Sequence, residues 1–114
     1  MNKSPAASPD GAGAATGPAG HRARLRQRLL EGGAEALADY EVLEYLLFGA
    51  SVRGDTKPVA KALLARFGSL SAVLNAEPGA LRQIKGISDA GIGALKIAAL
   101  AARRMARSEV RQQP

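Results

Sequence analysis

Between residues 21 and 107, leucine, isoleucine, valine and alanine recur three and four positions apart. That spacing lines one side of a helix of about 3.6 residues per turn. "HRARLRQRLLEGG" sets Leu25 and Leu29 four apart among arginines, and Gly32 and Gly33 supply the left-handed backbone that ends helices. "ADYEVLEYLLFGA" carries Val42, Leu43, Leu46 and Leu47 at helical spacing behind Asp39, a candidate N-cap. It is the most apolar stretch and is expected at the centre of the core. A turn, "SVRGDTKP", leads into a third helix through "VAKALLARFG", with Asp55 or Thr56 as cap, Pro58 in the first turn and Gly68 as the stop. "SLSAVLNA" predicts a short fourth helix capped by Ser69, and "EPGALRQI" a fifth with Pro78 in its first turn. A sixth starts near Asp89 and runs to about Arg107. Two-residue alternation and Asn-Gly turns are absent and β-branched residues are few, so nothing predicts strands. The pattern predicts an all-α protein, a compact bundle of five to six short helices whose alanine-rich surfaces allow close approach.

The ends read differently. Residues 1–20, "MNKSPAASPDGAGAATGPAG", contain no Leu, Ile, Val or Phe and cannot bury enough surface to offset their ordering entropy. They are expected to form a disordered tail, residues 21–107 the helical domain, and residues 108–114 a flexible end.

Composition narrows the chemistry. A chain of 114 residues suits one small domain. With no cysteine, a disulfide scaffold and a thiolate metal site are excluded. The single histidine, His21, cannot build a histidine metal site and, beside the tail, reads as solvated. No metal, cofactor or small-molecule substrate is expected. No apolar run reaches the roughly 18 residues of a membrane span, and no signal core opens the chain. A soluble cytoplasmic protein without a membrane role is the expectation. The net charge of +6 and pI near 10.3 favour a polyanionic partner, simple solubility being the bland alternative.

The stretch "IKGISDAGIGALKIAAL" concentrates the interest. Leu81 and Ile84 share one face of a short helix, "KGISD" turns the chain, and Ile92, Leu95, Ala99 and Ala102 line the helix that follows. Ile87 anchors the turn to the core. A phosphate oxygen needs main-chain N–H groups with no Cβ in the way, and the small residues Gly86 and Ser88 provide that approach. The helix N-terminus adds unpaired amides and the positive end of its dipole. Lys85 adds charge. Ser88 can donate to a phosphate or cap the helix, and it would weaken binding if a left-handed backbone were needed there. Asp89 is also placed to cap, yet its charge occupies or repels the same anion. Gly91 and Gly93 cost about 1 kcal/mol each in a helix relative to alanine. Close packing and close phosphate approach both explain them, as a turn that serves packing alone explains the whole stretch.

Basic residues cluster in two places. Lys96, Arg103 and Arg107 fall within about 40° of one another on a helix at about 100° per residue, and Arg104 widens the stripe. Arg22, Arg24, Arg26 and Arg28 alternate along the first helix as a secondary patch. Tyr40, Tyr45, Phe48 and Phe67 sit in apolar segments and read as core, not as base-stacking platforms. Contact with the backbone, blind to sequence, fits this distribution.

Ile84, Lys85 and Gly86-Ile87-Ser88 resemble the helix-hairpin-helix motif of DNA-binding proteins, with Ser88 standing where that motif has glycine. More widely, "DYEVLEYLLFG", "KPVAKALLARFGSLSAVLNA" and the hairpin look like the N-terminal helical domain of the RadC-like family over about residues 21–107. The resemblance implies a DNA-repair association, with the hairpin at about 77–107. It also implies a following metallopeptidase-like (JAB) domain, whose zinc motif does not occur in this sequence. A natural truncation or a domain excerpt is therefore expected, and hydrolase activity is not carried over. The residues agree: the carboxylates are scattered and expected at caps and solvent faces, and no phosphate-binding loop or Ser-His-Asp set is present. The expectation is a non-catalytic, sequence-independent DNA-binding module using Lys85, Gly86, Ile87, Ser88, Gly91, Lys96, Arg103 and Arg107. The alternative is a protein-interaction module that positions a peptidase-like domain or a repair partner.

Overall fold

The computed structural model describes residues 18–50 and 55–112. Of the tail expected over residues 1–20, the part before residue 18 lies outside the described residues, as do the centre of the "SVRGDTKP" turn and the last two residues, while residues 18–20 already belong to the first helix. Among the described residues six α-helices follow in order: α1 (Pro18–Gly32), α2 (Asp39–Phe48), α3 (Thr56–Phe67), α4 (Leu70–Asn75), α5 (Pro78–Leu81) and α6 (Asp89–Gln112). A 3-10 turn over Gly33–Ala36 joins α1 to α2, in place of the plain stop read at the two glycines. Gly33, at φ +73°, supplies the left-handed step there. No strand occurs among the described residues.

The capping chemistry sets most boundaries. Asp55 accepts the Lys57 amide at 3.0 Å and starts α3, which Gly68 ends at φ +98°. Ser69 accepts the Ala72 amide at 3.0 Å and starts α4. At α2 the N-cap is Ala38, not Asp39, because Glu41 reaches back to accept the Ala38 amide at 2.9 Å. α6 runs on to Gln112, so residues 108–112 are helical instead of forming a flexible end.

α2 is the hub, packed against α1, α3, α4 and α6. Leu43 and Leu47 of α2 meet Ala60 and Leu63 of α3, Val73 of α4, Leu81, Ile84, and Ile92 and Leu95 of α6 in one buried cluster. Each such fully buried aliphatic side chain contributes about 1.5–3 kcal/mol.

α1 stands apart from that cluster and docks on α2. Leu25 is buried beneath it, while Leu29 and Leu30 stay exposed at 36% and 76%. Two polar clasps flank Leu25. Arg28 grips both oxygens of Glu41 at 2.7 and 3.0 Å and also donates to the Ala36 carbonyl at 2.7 Å. His21 Nε2 meets Glu44 Oε2 at 3.1 Å. The crossed order of these pairs makes the two helices antiparallel. His21 is thus half-buried and not solvated. Glu41 and Glu44 are both buried; Glu41 serves at the α2 cap, a position expected for a carboxylate, whereas Glu44 departs from the expected solvent positions. The second oxygen of Glu44 has no hydrogen-bond partner among the described residues.

Candidate nucleic-acid interface

The turn between α5 and α6 is built from three local decisions. Ile84 O accepts the Ile87 amide at 3.4 Å, which closes a tight turn over Lys85 and Gly86. Gly86 sits at φ +95°, and a Cβ there would come within 3.0 Å of Val59 Cγ2 on α3. Only glycine satisfies both conditions without strain. Ile87 points inward and packs on the core, as the anchor reading expected.

Ser88 resolves into the helix cap. Its Oγ accepts the Gly91 amide at 3.0 Å and its carbonyl accepts the Ile92 amide at 2.9 Å. The left-handed residue of the turn is Gly86, so a serine at 88 adds no backbone strain. Asp89 lies outside the cap with its side chain 84% exposed, and Arg82 Nε reaches its Oδ1 at 3.3 Å. Arg82 thereby offsets part of the charge that would repel an anion, a role the sequence reading missed. Arg82 and Asp89 are seven apart across a turn, so no helical spacing signals the pair.

With Ile87 and Gly91 satisfied, the amides of Lys85, Gly86, Ser88, Asp89 and Ala90 find no carbonyl or side-chain acceptor among the described residues. Lys85, Gly86, Ser88, Asp89 and Ala90 are all exposed. They stand at the positive end of a helix of 24 residues. The arrangement can offer several N–H donors and one ammonium to an anion.

Two predicted site residues serve structure instead. Gly91 is buried, and a Cβ there would meet Ile87 Cγ1 at 3.1 Å and Leu47 Cδ2 at 3.2 Å. It is glycine because α2 and the turn approach closely, whereas Gly93 faces open space. Lys96 turns inward and donates to the carbonyls of Leu74 at 3.0 Å and Ala76 at 2.9 Å. It satisfies orphan carbonyls at the C-terminal end of α4, so its ammonium is committed within the fold.

The basic groups do not converge on one point. Arg103 and Arg107 lie 14 and 18 residues beyond Asp89, about 21 and 27 Å along α6 at roughly 1.5 Å per residue. They cannot hold the same phosphate as the turn. In α1, Arg28 is committed to Glu41, and Arg22 stacks over the Phe48 ring at 4.9 Å. Arg24 and Arg26 are exposed. The aromatic rings are half-buried at the boundary and several carry cations: Lys61 lies 5.1 Å from Tyr40 and Arg66 5.2 Å from Phe67. Glu41 is held below the usual carboxylate range by its hydrogen bonds from Arg28, and Arg28 is raised in turn.

Among the described residues no group of three or more His, Asp or Glu side chains could hold a metal ion, and no helix is long and apolar enough to cross a membrane.

Comparison with known proteins agrees on one family. Residues 19–93 match the model described as UPF0758 N-terminal. A UPF0758 protein of Rhodobacter capsulatus is 51% identical over 90 residues, 79% of this chain and 42% of the relative. A UPF0758 protein of Ruegeria pomeroyi is 48% identical over 93 residues, 82% of this chain and again 42% of the relative. The chain thus spans less than half the length of these relatives. No solved structure matches it. On the family match and the two relatives together, the chain belongs to the UPF0758 family, the RadC-like proteins, and carries that family's N-terminal region.

Proposed function

We propose that this region is a non-catalytic DNA-binding module that grips backbone phosphate, without regard to sequence, at the turn between α5 and α6. One observation carries the reading. Lys85, Gly86, Ser88, Asp89 and Ala90 are exposed residues whose amides have no acceptor among the described residues, at the head of a long helix, beside a lysine and with no Cβ at Gly86. Donors arranged this way suit a phosphate oxygen and carry no information about bases. The net charge of +6 supplies the long-range attraction.

The test is a salt titration of duplex binding by the whole chain and by Lys85→Glu and Gly86→Ala. Lys85→Glu should weaken binding equally on unrelated sequences and lower the slope of log affinity against log salt by about 1. Gly86→Ala should weaken binding by distorting the turn against Val59. Unchanged affinity and slope in both variants would remove the turn from the interface.

A second reading has its own support in the exposed Leu29 and Leu30 on α1. It takes the region as a protein-interaction module. Partner capture that survives high salt and disappears in Leu30→Ser, with no DNA binding, would favour it.

A further inference from the structure

The half of α6 beyond the core is unaccounted for by the turn. From Ala101 to Arg111 every residue is exposed. Arg103, Arg104, Arg107 and Arg111 fall within about 100° of arc on this arm, at about 100° per residue. Arg104, Arg107, Ser108 and Arg111 together line a shallow open concavity. None of the four arginines makes an ion pair among the described residues. Glu109, the arm's acidic residue, projects from the other side of the helix and leaves the row uncompensated.

We propose that this arm is a second phosphate-binding element that engages the same nucleic acid as the turn, at a fixed separation from it. The inference rests on the DNA-binding reading above and adds to it the size of the site. Arg103 to Arg111 lie about 21 to 33 Å from the head of α6. At about 3.4 Å per base pair, that span corresponds to roughly 6–10 base pairs. A duplex must therefore be about one turn long before both elements are occupied.

Charge and shape favour nucleic acid over a lipid surface. Interfacial helices carry a face of bulky apolar groups such as Trp, Phe or Leu. The arm has only Met105 and Val110, and these lie about 140° apart, Val110 among the arginines. They form no common apolar face, so what the arm presents is a row of guanidinia.

The experiment uses the whole chain and a variant with Arg103, Arg104, Arg107 and Arg111 all changed to glutamine, which keeps helix propensity. Far-UV circular dichroism verifies that α6 persists. Binding is measured by salt titration on a 20-base-pair duplex and on a short stem of about five base pairs. On the duplex the variant should lose tenfold or more in affinity near 0.1 M salt. Its salt slope should fall by roughly 2–4, at about 0.9 per phosphate contact. On the short stem the two proteins should bind alike. Four lysines at the same positions should restore the slope on the duplex.

An unchanged slope on the duplex overturns the arm. An equal loss on both ligands overturns the separation. Binding of the arm to anionic vesicles without a change of slope on DNA assigns it to lipid and also overturns the inference. If Lys85→Glu weakens binding while the arginine variant does not, the turn stands and the arm fails. The reverse result rejects the turn and with it the fixed separation, which overturns the inference as stated. Failure of the unaltered chain to bind DNA rejects both.

Discussion

Gly91 and Gly93 stand two residues apart in α6, and alanine at each should act with opposite sign. Alanine gains about 1 kcal/mol over glycine in a helix, because the backbone has less freedom to lose. At 93 a Cβ meets nothing within 4 Å, so Gly93→Ala should realise that gain. At 91 the new methyl would sit 3.1 Å from Ile87 Cγ1 and 3.2 Å from Leu47 Cδ2, inside ordinary carbon contact of about 3.5–4.0 Å. Leu47 is 3% exposed in the central cluster, and Ile87 is fixed by the turn, so neither can move freely. Overpacking of this kind costs about 1–3 kcal/mol and outweighs the helix gain, leaving a net loss near 1 kcal/mol. The two variants should then differ by about 2 kcal/mol. For a domain of this size that is a separation of roughly 10 °C in Tm. Thermal unfolding followed by far-UV circular dichroism measures it. A Gly91→Ala protein that melts as high as Gly93→Ala would show that the methyl has room, and the packing account of Gly91 would be wrong. DNA binding adds a second readout: Gly91→Ala displaces Ile87 and should weaken the turn's grip, whereas Gly93→Ala should leave it intact.

Replacing Lys96 by methionine keeps the aliphatic stem and removes the ammonium that serves the Leu74 and Ala76 carbonyls. Stability should fall by about 1–2 kcal/mol, read by urea unfolding, while affinity of the folded fraction for DNA is unchanged. Glu41 makes an acid-side contribution. Its carboxyl is held below the usual range chiefly by the Arg28 hydrogen bonds, so the folded state binds its proton less readily than the unfolded chain. The stabilisation is present above the unfolded value of about 4.3 and is lost as pH falls through the folded value. In Glu41→Gln, Tm should be reduced above about pH 5 and should converge on that of the unaltered protein in more acidic solution. A gap of constant size across that range would exclude this linkage.

How far the sequence reached differs from element to element. Helix existence was legible throughout, because caps and stops are local chemistry: Asp55, Ser69 and Gly68 act through residues no more than four positions away. Leu43 and Leu47 entered the core because a period near 3.6 has one buried face. The turn at Lys85–Ser88 was legible for the same reason. Two alternatives were not: Ser88 has the chemistry both to cap and to donate, and the backbone geometry selects the cap on Gly91, while whether Gly91 faces a phosphate or a leucine depends on atoms brought from elsewhere in the chain.

The sequence by itself determined which segments are helical, where most begin and stop, and that the chain is basic with one glycine-serine turn ahead of a long helix. Those properties follow from contacts within a few residues and from a repeat that one element contains on its own. The tertiary structure alone decided what each charge does. It turned Lys96 into the end of α4, paired His21 and Arg28 with glutamates on α2, and packed Gly91 against Leu47. Side chains such as lysine and arginine reach several ångströms in any direction, so their partners are fixed by how helices cross and not by their spacing along the chain.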